Sequence, residues 1–248
     1  MPAILAAHPA ALARLIKFMS ISKSKILLLF TGLLPFLING FYNPTIVKIP
    51  TLYWFIEILT WVAFPIWIYW YGIKKQIFSR NIVGINLKIF NKRNLPLLFL
   101  FSIIAILTFP IVYNSSFIYA QNHYPINYLK VNFSYSQILP GRGIKYFFIL
   151  LYFSATAGIV EEFYLKGLLR SIFKNTFFSI LAFVIISATI FSSLHWEGGV
   201  WGLFATFIFG IFSATFYATT KNLWPNVIGH FATDYLWFTE VKFFIPIG

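Results

Sequence analysis

Apolar residues run along the chain in seven blocks, near 25–42, 51–73, 95–113, 144–169, 177–195, 200–219 and 223–239. Each approaches the roughly 20 residues that an α-helix needs to cross a bilayer. The first and last blocks are the weakest, because Pro35 and Gly40 interrupt one while Pro225, His230 and Asp234 burden the other. The longest connections are 74–94 and 114–143, and no long repeat, low-complexity tract or water-soluble domain stands between the blocks. The pattern predicts an all-α fold, a polytopic transmembrane helical bundle of about seven spans within a range of six to eight. Its expected divisions are an N-terminal segment 1–24, a first set of membrane helices over 25–143 and a second set over 144–240.

Composition agrees with that pattern. The chain is 59% hydrophobic and 21% aromatic, with a mean hydropathy of +0.79, outside the range of soluble globular domains. In a soluble protein a formal charge of +13 would point to nucleic acid. Here the basic residues flank the spans, where they meet anionic headgroups, and no nucleic-acid-binding motif opposes that reading. With the N-terminus inside, thirteen Lys and Arg fall on the cytoplasmic side and five, Lys48, Lys130, Arg142, Lys145 and Lys242, on the other. The expected location is therefore the plasma membrane, multi-pass, with a cytoplasmic N-terminus. The Ala-rich and then basic stretch Met1 to Lys25 is like the start of a signal peptide, but no small-residue cleavage site follows, so the first span is expected to be retained. The absence of cysteine excludes disulfides, thiol catalysis and Cys-ligated metals.

The acidic residues carry the chemical information. There are six in 248 positions, and Glu161, Glu162 and Asp234 lie with His195 and His230 inside apolar stretches. A carboxylate at the centre of a membrane helix costs about 2.5–3.5 kcal/mol even on insertion scales, so such residues usually face a cavity and act there. Three polar stations on three successive helices predict one assembled site. Glu57, Glu197 and Glu240 fall near predicted span ends, where solvated anions are the default, and are expected to carry no chemistry.

Within Glu161-Glu162-Phe163-Tyr164-Leu165-Lys166, helical spacing stacks Glu162 and Lys166 at i, i+4 and turns Glu161 about 100° away. Two adjacent carboxylates in a low dielectric cannot both ionise cheaply. The expected division leaves Glu162 as a structural partner of Lys166 and Glu161 free as a general base or a metal ligand; the bland alternative is a buried ion cluster that fixes packing. Phe191 lies one turn before His195 and is expected to wall its ring, although a histidine at a helix end is ordinarily interfacial. Asp234, at i+4 from His230, is expected to accept a hydrogen bond from that imidazole. Together these groups can hold a water and polarise a carbonyl, without the helical H-E-x-x-H of soluble zincins.

In order, Glu161-Glu162-x-x-x-Lys166, Phe191-x-x-x-His195 and His230-x-x-x-Asp234 resemble the signature of the CPBP family, the CAAX prenyl endopeptidases and bacteriocin-processing or self-immunity membrane proteases. The resemblance covers about residues 145–240. It implies an intramembrane endopeptidase in which Glu161 and His195 activate a water, Glu162 pairs with residue 166, and His230 with residue 234 steadies the oxyanion. The implied partners are the lipid bilayer and a peptide or a prenylated, membrane-associated protein; the oligomeric state is left open. No cofactor is certain: metal-free glutamate catalysis is favoured, and Glu161, His195 and His230 could instead hold zinc as a His₂Glu set with an open position. Two positions depart from the pattern. Lys166 stands where Arg is usual and lacks its bidentate fork, and Asp234 stands where Asn is usual, so it cannot donate to an oxyanion unless it acts through His230. Those departures feed a rival reading, a non-catalytic immunity or scaffold member; a proton-coupled transporter is a further rival. One geometric strain is expected as well. With a hairpin near residue 175, Glu161 and His195 differ by six residues from the turn, or about 9 Å in depth.

Overall fold

A computed structural model describes residues 23–81, 84, 94–131, 141 and 143–241. The expected N-terminal segment 1–24 lies almost wholly outside these. All seven apolar blocks are helical: α1 Lys23–Ile46, α2 Pro50–Lys74, α3 Leu95–His123, α4 Ile144–Leu168, α5 Phe177–Leu194, α6 Trp196–Thr220 and α7 Leu223–Phe238. The first six are long and apolar enough to cross a membrane; α7 has 16 residues and spans less of the bilayer. Large apolar side chains such as Leu27, Phe30, Phe55, Phe99, Leu107 and Phe148 stand exposed on the outside of the bundle, as expected where the solvent is lipid.

The third helix runs ten residues past its expected end at 113. Asn114, Ser115 and Ser116, which end the apolar block, are buried inside the bundle. They interrupt the hydropathy and not the helix, because a helix meets its own backbone hydrogen bonds whatever its side chains.

Five helices close a ring in the order α5, α6, α3, α7, α4, with neighbours packed along their lengths except at the α4–α5 seam. There the contact comes mainly from the last turns of α4, and α1 and α2 lie across the gap. Small residues let the helices approach. A Cβ on Gly158 of α4 would stand 3.0 Å from the Val227 carbonyl oxygen and 3.2 Å from the Phe231 nitrogen on α7. Gly158→Val should therefore push α4 from α7, at a cost of about 1–3 kcal/mol for overpacking. The expected outcome is a lower unfolding temperature in detergent, together with loss of whatever activity the polar groups one turn below Gly158 support.

Two helices change pitch beside polar groups. α4 widens to a π turn at Phe163–Leu168, directly after Glu161 and Glu162, and Ser187 of α5 donates to the Leu165 carbonyl within it at 2.9 Å. α2 does the same at Leu59–Ala63, just after Glu57. Such turns are frequent at functional sites. In α1 the helix breaks at Ile38, and the Leu37 carbonyl is taken by the Trp196 indole N–H at 3.1 Å.

Candidate active site

The polar residues of the second helix set meet inside the ring. Glu161 is buried, and its Oε2 stands 3.9 Å from His195 Nε2 and 3.7 Å from His230 Nε2. That oxygen has no hydrogen-bond partner in the protein. It lies on the wall of a cavity of about 150 Å³, large enough for several waters. His195 and Asp234 are the more open members, with side chains 32% and 24% exposed against 4% for His230.

The expected depth offset is present and is absorbed by side-chain direction. Ser187 is level with Leu165 through its hydrogen bond. Glu161 lies four residues and His195 eight residues beyond that level, a difference of about 6 Å along the axes. In a helix the Cα–Cβ bonds lean toward the N-terminus. α4 and α5 are consecutive antiparallel helices, so Glu161 leans toward the His195 level while His195 leans back toward Glu161. The fold-back of His195 is fixed by its Nδ1, which donates to the Phe191 carbonyl at 2.8 Å.

Glu162 is the centre of a second, fully buried layer. Its Oε1 is 3.3 Å from Lys166 Nζ, the expected pair, and accepts from His230 Nδ1 at 2.9 Å. Its Oε2 accepts from Asn226 Nδ2 at 3.2 Å, and Asn226 also donates to the Ser213 carbonyl at 2.8 Å. The expected hydrogen bond from His230 to Asp234 is not what orients the imidazole. Asp234 Oδ2 stands 3.7 Å from Nε2, beyond hydrogen-bonding distance, while Nδ1 faces α4 and meets Glu162. With Nδ1 committed, Nε2 is the edge presented to the cavity. Phe191 packs beside both imidazoles, with ring centroids 4.6 Å from His195 and 5.7 Å from His230. It also receives Lys166 Nζ at 4.7 Å over its face, a cation–π contact that adds to the lysine's pairing.

Three residues here were not expected from the sequence. Asn226 lies one turn before His230 on the same face of α7, and an amide in that register inside an apolar helix was the available signal. Glu57 and Glu197 are not solvated span ends. Glu57 is buried, and both line the cavity. Glu57 sits two turns inside α2, where the broken α1 packs over it, and Glu197 lies in the tight turn that opens α6. That turn is held by residues 124–131: Asn127 donates to the Gly198 carbonyl at 3.1 Å, and Val131 N–H donates to the Glu197 carbonyl at 3.0 Å.

The donor chemistry at Glu161, His195 and His230 invites a metal test. Each imidazole has its Nδ1 on a carbonyl or carboxylate, as metal-bound histidines do. A zinc ion with bonds of about 2.0–2.2 Å would draw its tetrahedral ligands to about 3.4 Å from one another. The separations here, 3.7 and 3.9 Å, are wider, and among the described residues no three His, Asp or Glu form a metal-holding group. As placed, the two measured separations are a few tenths of an ångström wider than a zinc shell.

Residues 143–236 match the family model for type II CAAX prenyl endopeptidases, described as Rce1-like. No curated protein and no solved structure matches the chain.

Proposed function

We propose that this multi-pass membrane protein, whose residues 143–236 match the Rce1-like family model for type II CAAX prenyl endopeptidases, is an intramembrane endopeptidase that hydrolyses peptide bonds of membrane-associated or lipidated substrates with water as the nucleophile. The observation that carries the reading is the free Oε2 of Glu161, on a cavity wall within 3.9 Å of two imidazole edges.

A water held between Glu161 Oε2 and His195 Nε2 loses its proton to Glu161 as its oxygen attacks the peptide carbonyl. His195 accepts the second hydrogen bond and aims the lone pair; its Nδ1–H on the Phe191 carbonyl keeps Nε2 an acceptor. The carbonyl oxygen becomes an oxyanion facing His230. As an imidazolium, with Nδ1–H on the Glu162 carboxylate, His230 donates Nε2–H to that oxyanion. Glu161 then returns its proton to the amine as the C–N bond breaks. Lys166 and Asn226 act through Glu162 and are positioning residues. The charge bias favours a cytoplasmic N-terminus, an orientation that turns the His195 end of the cavity away from the cytoplasm.

In this scheme Asp234 serves by its charge on the His230 side of the cavity, not as an oxyanion donor. Asp234→Asn, the residue usual in the resembling family, should lower kcat about tenfold, the size expected from losing a partly solvated charge 3.7 Å from Nε2. A rise in kcat would assign the donor role to residue 234 itself. The reading as a whole is tested by presenting prenylated, acylated and membrane-spanning peptides to purified protein in lipid nanodiscs. Cleavage at a fixed bond is expected; none in any substrate class would favour the non-catalytic rival.

A further inference from the structure

The cavity has a wall that the hydrolytic scheme does not use. Four of the chain's six acidic residues, Glu57, Glu161, Glu197 and Asp234, line it, and among the described residues no Lys or Arg does. Glu57 and Glu197 lie beyond the catalytic groups, on α2 and at the start of α6. Neither has a Lys or Arg partner among the described residues. Glu197 Oε2 is buried without a hydrogen bond. The two carboxyls line the same cavity as Glu161, His195 and His230, so they form one region continuous with the catalytic groups.

A second kind of group points the same way. Asn39, the first residue after the break in α1, is 7% exposed and lines the cavity, and its Oδ1 accepts no hydrogen bond. Burying an acceptor unpaired is unfavourable unless a ligand supplies the donor. Trp61 and Phe36 also line the cavity, and aromatic rings suit a cation carried on an apolar stem. Two carboxyls, a free amide oxygen and aromatic walls call for a group that is positive, donates hydrogen bonds and arrives on an apolar stem.

We propose that Glu57, Glu197 and Asn39 form a subsite for the Lys or Arg side chain of a peptide whose scissile bond lies at Glu161 and His195. The inference rests on the endopeptidase reading and names its substrate class: a peptide with a basic residue close to the cleaved bond.

Binding separates this claim from catalysis. The full chain carrying Glu161→Gln, in nanodiscs of zwitterionic lipid, is titrated with fluorescein-labelled apolar decapeptides that carry a single Lys, norleucine or Glu at each position in turn. The expected result, by fluorescence anisotropy, is one or two positions where Lys binds about tenfold tighter than norleucine, as charge-assisted hydrogen bonds predict. Adding Glu57→Gln or Asn39→Leu should bring that ratio toward one. Glu197→Lys, at the more open end of the wall, should turn the preference toward the Glu peptide. No preference for Lys at any position, or one that survives all three substitutions, would overturn the subsite. So would a preference abolished by a chelator, which would transfer the carboxyls to a metal ion. If these ratios hold while the wild-type chain cleaves no peptide, the subsite stands and the hydrolytic reading falls.

Discussion

Replacing Lys166 by Met is expected to destabilise the bundle by about 3–5 kcal/mol, the cost of leaving one member of a buried ion pair without its partner. Lys166 and Glu162 are both fully buried, 3.3 Å apart, and no water reaches the carboxylate to replace the ammonium. Met fills nearly the same volume, so packing against Phe191 survives and the loss isolates the charge. The double substitution Lys166→Met with Glu162→Gln should recover most of the stability, because neutral isosteres remove the desolvation cost of both ions. Activity should not recover with it. The neutral amide that replaces the Glu162 carboxylate in that variant would no longer offer a charge to His230 Nδ1, now held at 2.9 Å. Thermal unfolding in detergent and turnover, measured on the wild type, both single variants and the double variant, check both halves. Full recovery of activity in the double variant would reduce Glu162 and Lys166 to a packing device.

His230→Gln is expected to lower kcat by about 10²–10³, the size seen when one oxyanion donor is lost, with little change in KM. The imidazole is held by Glu162 on α4 and walled by Phe191 on α5 and Phe209 on α6, so its Nε2 is fixed before substrate arrives. Glutamine keeps a donor of similar reach but forfeits the positive charge and the rigid ring. The loss should therefore appear in the chemical step, and an equal change in kcat and KM would instead indicate a binding role. The substitution leaves Glu162 and Lys166 paired, so the unfolding temperature should move little.

Much of this was legible in the chain. Hydropathy marked all seven helices and most of their ends, because in a bilayer an apolar block of that length has few other conformations. Glu161, Glu162, Lys166, His195, His230 and Asp234 were identifiable because ionisable groups are expensive there. Their wiring was less so. Spacing within one helix finds i, i+4 neighbours, and it found Glu162–Lys166. It also proposed Asp234 for His230, but a partner from another helix holds Nδ1, and that depends on how closely α4 and α7 pack at Gly158. The end of α3 was missed because Asn114 and its serine neighbours look like an interface in sequence and are interior in the bundle. Glu57 and Glu197 were set aside for a related reason. Proximity to a predicted span end stands in for solvent, and it fails where a broken helix covers that end.

The central claim, a peptide bond hydrolysed at Glu161, is tested most directly by comparing wild type with Glu161→Gln on one cleaved, quenched-fluorescence peptide in nanodiscs, each with and without a strong chelator. The substitution is expected to lower kcat by about 10²–10⁴, as for loss of a general base, at an unchanged unfolding temperature, while the chelator leaves the wild-type rate intact. Undiminished cleavage by Glu161→Gln would contradict the assignment. A wild-type rate lost to the chelator and restored by zinc would contradict the metal-free route.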